Sequence, residues 1–465
     1  MSDLDLCYMP ATQALELFRA KKLSPVELMQ AVIRRAEAVQ PVTNAFTFTY
    51  FDNALKQAAK AEAKYANGRR TRALEGLPVG IKDENDIKGL PTSNGSLTMK
   101  DYVAERTSVI NERILKAGGI VHARTATPEF SCAGYTNSRL WGVTRNPWNP
   151  EFTSGGSSGG SSSSLASGTS AICTGSDIGG SIRIPAGTCG LVGYKPPYGR
   201  NPEEPPFNLD FYCHTGPLAR TVSDAIALQN VMCGPHPTDI ASLRPKLRLP
   251  IQYQPIKGWK IAYSPDLGFF EVDEEVRRNT EAALDVFRAA GAEVTEVDIG
   301  WTDKALKAGM AYLEHLFGAY IAKTLDEHAD DMTDYARAFA EKGRSSTPAY
   351  FVWSLEVAGE MYQTLGPILA KHDVLVCPTN ALPAVPADFN QVRDEVRING
   401  KVVNPMLGWV MTTPFNTMSR CPVITMPSGR ASNGVPTSIQ IVGKTYRDAD
   451  VMRAAMAFEK EAGQW

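Results

Sequence analysis

Ser181 stands directly after two glycines in "SDIGGSIR", residues 176–183. A serine hydroxyl becomes a nucleophile when a base can take its proton and donors await the oxyanion that forms. The tandem backbone N–H groups of Ile178, Gly179, Gly180 and Ser181 can converge on one point, as an oxyanion hole requires. The chain has six histidines, and none falls in its Gly-rich segments. Lys82 offers another base, at the end of the apolar run in "GLPVGIKDEND". Burial disfavours the charged form of a lysine, so neutral amine becomes available and can act through a bridging hydroxyl.

A source of that hydroxyl is "TSGGSSGGSSSSLASG", residues 153–168. Such a composition ordinarily marks a flexible linker. Here it runs straight into "TSAICTGSDIGGSIRIPAG", which reads as buried core, so a rigid loop presenting hydroxyls and N–H groups is expected instead. Phosphate binding fits poorly. The stretch lacks the Gly-Lys-Ser/Thr ending of a P-loop, and "GGSSGG" has the wrong spacing for a dinucleotide fingerprint. Residue types alone leave Ser157, Ser158 and Ser161 to Ser164 as competing candidates for the bridging group. Cys189 lies near Ser181 in sequence but has no adjacent histidine, and reads as a core thiol. His214 reads as a structural histidine or a substrate contact.

Taken together, "GLPVGIKD", "GGSSGG" and "GSDIGGSIRIPA…GLVGYKP" resemble the amidase signature family. The likeness extends through "RTATPEFS" and "GPLARTVSDA" to "FNTMSRCPVITMP" and "PTSIQIVG", so it spans nearly the whole chain. The resemblance implies a Ser–cisSer–Lys catalytic unit. Lys82 takes the place of the lysine, Ser157 that of the serine after a cis peptide, and Ser181 that of the nucleophile. It also implies that residues 178–181 form the oxyanion hole, that Ser131 lines the substrate site, and that Ser158, Asp177 and Arg183 support the nucleophile loop and the lysine. The activity implied is hydrolysis of a carboxamide C–N bond through a serine acyl-enzyme, with no metal and no cofactor. The implied partner is a small-molecule amide, with a homodimer the assembly common among related enzymes.

The chain departs from the family pattern in places. Ser176 stands where threonine is common, and "SSSSLASG" replaces a more Ala-rich run. The glutaminase subunits of tRNA-dependent amidotransferases carry a Ser-Leu-Asp-Gln type sequence before the Gly-Pro that here follows "DFYCHT". "TATPEF" also differs from their Asn-Met-Asp-Glu-Phe. These differences favour a free-standing amidase over an ammonia-supplying subunit, and the intact Lys82, Ser157, Ser181 set disfavours an inactive scaffold.

Elements must bring these residues together across about 100 positions of sequence. Short runs rich in Val, Ile and Leu, bounded by Gly or Pro, predict buried strands at "LPVGIKD", "AGGIVHART", "SAICTGSD" and "GLVGYKP". Further strands are expected at "WKIAYSPD", "HDVLVCPT", "CPVITMP" and "PTSIQIVGK". Ser24, Pro25 and Glu27 form a capping box that starts a helix. Residues 51–66 read as a second, mostly solvated helix. A helix stopping at Gly291 and followed by a strand, a helical stretch over 302–365 and an amphipathic closing helix complete the pattern. The expectation is an α/β fold, a large mixed sheet covered by helices on both faces. It is read as one domain over 1–465, with a helical segment to about residue 70, a core over about 75–235 and a variable helical region over about 300–365.

Bulk properties agree with that class. At 43% hydrophobic and 21% charged residues, the chain can bury a substantial core. A formal net charge of -2 with no basic stripe argues against nucleic-acid binding and against a polybasic membrane anchor. No signal peptide is visible and no apolar run approaches bilayer length, so a cytoplasmic location is expected. The eight scattered cysteines form no CxxC pair, which fits reduced thiols.

Overall fold

The computed structural model describes residues 1–463. Among them, eleven strands form one mixed sheet. From one edge to the other they are Phe46–Thr49, Ile120–Thr125, Pro78–Lys82, Ile172–Ser176, Thr215–Ala219, Val192–Lys195, Val423–Arg430, Pro436–Gly443, Val374–Pro378, Lys260–Tyr263 and Glu293–Glu296. Pro78–Lys82 runs parallel to both its neighbours, whereas the centre of the sheet is antiparallel. Parallel pairing returns at the far edge.

The strand side chains alternate between two cores, as the two-residue period demands. On Val374–Pro378, Leu375 and Cys377 join one apolar cluster while Val374 and Val376 join another. Val423 and Val442 face the first, and Ile424 and Ile441 the second. Helices Lys304–Leu313, Asp334–Ser345 and Pro348–Lys371 fill the first cluster. Helices Val222–Met232, Glu274–Ala289 and Asp448–Ala462 fill the second. The sheet is therefore covered on both faces, and the expected α/β architecture is present.

All nine expected strands form, the one after Gly291 as Glu293–Glu296. Ser24 and Glu27 complete the capping box of Pro25–Thr43, with Leu28, Met29, Val32 and Ile33 buried. The helix Phe51–Ala66 buries one stripe of Ala54, Ala58, Ala61 and Tyr65 and leaves most of its other positions solvated, as expected. Two strands of this sheet were not expected. Phe46–Thr49 is a short edge strand. Thr215–Ala219 contains Pro217, a residue that argues against a central strand. The register explains its tolerance: on the Val192–Lys195 side only Leu218 and Ala219 are paired, so Pro217 lies beyond that ladder.

The Gly/Ser stretch divides in two. Residues 153–158 are a buried loop, but Gly159–Ala166 is an α-helix rather than a continuation of the loop. Its composition is poor for a helix. Tertiary packing overrides propensity here. A Cβ at Gly160 would lie 2.2 Å from the backbone nitrogen of Ala126, so only glycine permits this approach. The serines anchor the helix from within: Ser161 donates to the Thr174 carbonyl at 2.8 Å and Ser163 to the Arg145 carbonyl at 2.9 Å.

Candidate active site

Lys82 ends the strand Pro78–Lys82 with its side chain wholly buried. Its Nζ lies 2.7 Å from Ser157 Oγ and 2.8 Å from Ser176 Oγ. Ser176 ends the neighbouring strand Ile172–Ser176, and Ser157 sits on the loop just before the buried helix. Two strand ends and one loop thus converge on the amine. The Gly156–Ser157 peptide is cis. A third partner completes the set: Glu84 Oε2 lies 3.0 Å from Lys82 Nζ. Burial pushes the Lys82 pKa below its ordinary value, and the neighbouring Glu84 carboxylate opposes that shift through its charge and hydrogen bond.

The nucleophile loop follows Ile172–Ser176. Asp177, Arg183 and Ser158 all pack around it. Asp177 Oδ2 accepts from the N–H groups of Ile182 and Arg183 at 3.3 and 3.4 Å and from Arg183 Nε at 2.9 Å. Its Oδ1 accepts from Arg183 Nη2 at 2.9 Å and Asn416 Nδ2 at 2.8 Å. Burial alone would push this carboxyl up, but the Arg183 charge and these hydrogen bonds hold it at about 2. Arg183 continues outward to the Thr412 carbonyl at 2.9 Å and Gln440 Oε1 at 3.0 Å. Ser158 N–H donates to the Ser181 carbonyl at 3.2 Å. The Ser158 hydroxyl accepts from the N–H of Ser176 at 3.3 Å, so its link to Lys82 runs through Ser176.

Backbone N–H groups on either side of the Gly-Gly turn are occupied. Asp177 N–H donates to the His214 carbonyl and Ile184 N–H to that of Gly180, both at 2.7 Å. Those of Ile178, Gly179, Gly180 and Ser181 have no acceptor among the described residues. The hydroxyls of Thr412 and Thr413 hold the Gly179 carbonyl at 2.7 and 3.0 Å. Within a trans peptide the C=O and N–H point oppositely, so this clamp directs the Gly180 N–H away from the two threonines. Gly180 itself has φ +130°, and a Cβ there would fall 2.0 Å from Thr412 Oγ1. The position therefore requires glycine.

Ser181 and Ser131 both line a pocket beside this turn. Its apolar walls come from Ile178, Ile184, Leu313, Phe317, Phe339 and Met406. Three of these, Leu313, Phe317 and Phe339, lie in the helical region over 300–365. Ser131 follows Phe130 in a turn where both residues have positive φ, 58° and 51°. Its hydroxyl donates to Glu84 Oε2 at 2.6 Å.

Other candidates fall away from the chemistry. Cys189 is buried with its thiol pushed up to about 12 by desolvation. His214 is buried, its ring nitrogens 3.1 and 3.3 Å from the carbonyls of Asp177 and Ser419. Desolvation pushes it down to about 3, so it is a neutral structural histidine.

Sequence reasoning passed over Glu84, Asn416, Gln440 and Thr412. Asn416 and Gln440 lie inside "FNTMSRCPVITMP" and "PTSIQIVG", segments that carried the resemblance without individual roles. Glu84 had only its position two residues after Lys82 to signal it.

The Amidase family model matches residues 27–452. An acylamidase of Rhodococcus erythropolis is 31% identical over 464 residues, covering 99% of this chain and 96% of that protein. A glutamyl-tRNA(Gln) amidotransferase subunit of Carboxydothermus hydrogenoformans is 29% identical, covering 98% of each chain. Among solved structures, a bacterial aryl acylamidase of the amidase signature family superposes with a TM-score of 0.91 at 29% identity, covering 98% of this chain and 96% of that one. On the extent of these matches, the chain belongs to the amidase signature family and is an amide-hydrolysing enzyme.

Proposed function

We propose that the enzyme cleaves small, N-substituted carboxamides with apolar acyl groups through a serine acyl-enzyme. The observation that carries the reading is the contact of a fully buried Lys82 amine with Ser157, beside the unpaired N–H groups around Ser181. In the neutral amine, the Nζ lone pair accepts the Ser157 proton. Ser157 Oγ in turn accepts the proton of Ser181, whose Oγ attacks the amide carbon. Negative charge then develops on the carbonyl oxygen, and the N–H groups of residues 178–181 receive it. The proton returns along Lys82 and Ser157 to the leaving nitrogen as the C–N bond breaks. Water then attacks the acyl-enzyme by the same relay, releasing carboxylate and Ser181.

The apolar walls of the pocket and the likeness to acylamidases support an N-substituted amide. The likeness to the amidotransferase protein supports a second reading, a glutaminase that supplies ammonia to a partner. A panel of anilides, N-alkyl amides, primary amides and glutamine separates them. Turnover of anilides well above glutamine is expected; glutamine as the preferred substrate would overturn the first reading.

A further inference from the structure

Lys82 has three polar neighbours, and a neutral amine has two N–H groups and one lone pair. Ser157 Oγ, Ser176 Oγ and Glu84 Oε2 lie at 2.7, 2.8 and 3.0 Å. A carboxylate oxygen only accepts, so Glu84 must take an N–H. If Ser176 takes the other, the lone pair is left facing Ser157. The same Glu84 oxygen accepts from Ser131 Oγ at 2.6 Å, and Ser131 lines the substrate pocket. The Glu84 side chain is 14% exposed against 0% for Lys82, so a carboxylate lies at the open side of a closed base.

Resting on the acyl-enzyme reading above, we propose that Glu84 is a positioning residue of the catalytic base. Its carboxylate orients the Lys82 lone pair onto Ser157, sets the pH at which that lone pair is free, and ties the base to Ser131 in the substrate pocket. An anion beside Lys82 favours the ammonium form. Removing that charge therefore frees the amine at lower pH. Other titratable groups face the pair. Asp177, on the nucleophile loop, acts on Lys82 through its charge, whereas burial pushes the thiol of Cys213, before the strand Thr215–Ala219, well above its ordinary range and leaves it uncharged at neutral pH. The Glu84 charge itself acts on Glu203 and on Arg124, which lies on the strand Ile120–Thr125 and carries the opposite sign. Burial pushes Glu203 up to about 8, so it is largely uncharged at neutral pH and Glu84 is the principal anion at the amine. Asp177 is already paired with Arg183.

The test is the pH dependence of kcat/KM for an anilide substrate in wild type, Glu84→Gln, Glu84→Asp and Lys82→Ala, with folding of each checked by circular dichroism. Glu84→Gln keeps an acceptor of the same shape without the charge, and its acid limb is expected about one pH unit or more below wild type. Glu84→Asp keeps the charge but shortens the reach. Its limb should stay near that of wild type while kcat falls about tenfold. An unmoved limb in Glu84→Gln, with Lys82→Ala inactive, overturns the role of Glu84 and leaves the lysine base standing. Activity surviving in Lys82→Ala overturns both.

Discussion

Lys82 shows what a residue's type cannot disclose by itself. A lysine after a strand is ordinarily a surface charge; here desolvation lowers its pKa, as the proposed base needs, and that desolvation depends on packing from sequence-distant elements. The positions of Lys82, Ser157 and Ser181 were legible because three motifs occur together in order. Glu84 was not, because its value comes from a 3.0 Å contact made by a turn whose path no local pattern predicts. For the rate, the sign follows from which form is the base. Neutral Lys82 grows in population as pH rises, so kcat/KM should climb with pH and level off below the range of an ordinary lysine. A profile that falls as pH rises contradicts the assignment. For stability, Asp177 carries the prediction. Its carboxyl is held at about 2, below its unfolded value, so its stabilisation is complete above that unfolded value and is lost as pH falls towards 2. Asp177→Asn leaves the Arg183 charge buried without a counterion and should cost about 3–5 kcal/mol in chemical denaturation.

Elements were legible where burial follows a two-residue or helical period, and obscure where it does not. The strand ending in Lys82 and the strand ending in Ser176 are short apolar runs between breakers, and both formed as expected. The helix Gly159–Ala166 has no such pattern, since every residue through Leu165 is buried and most are Ser or Gly. What specifies it is the absence of side-chain bulk. Gly160 lets the helix meet the backbone of Ala126, and the N–H of Gly160 donates to the Ala126 carbonyl at 3.0 Å. Gly160→Ala should therefore destabilise by about 1–3 kcal/mol or more through overpacking, although alanine is the better helix former. A thermal melt reads this directly. Unchanged or raised stability would mean that the contact relaxes easily and that Ser157 is not held by this helix. Thr215–Ala219 was obscured by the opposite problem, a proline in a strand whose neighbour stops short of it.

Across the whole molecule, the mixed sheet serves as the frame that brings the site together. Two of its parallel strands deliver Lys82 and Ser176, its centre anchors Arg183 through Gln440, and Leu313, Phe317 and Phe339 from the helical region wall the pocket beside Ser181. The general architecture was legible because strands and helices alternate at both ends of the chain. The order of the strands was not, because nothing local says that residues 423–443 lie between 192–195 and 374–378. No helix among the described residues is long and apolar enough to cross a membrane. The proposed chemistry turns on a single oxygen in this assembly, and intact mass reads it most directly. Wild type and Ser181→Ala would each be treated with a serine-directed fluorophosphonate. One adduct is expected on wild type and none on Ser181→Ala. An adduct of equal yield on both proteins, or none on a wild-type enzyme that turns over amide, would contradict Ser181 as the nucleophile.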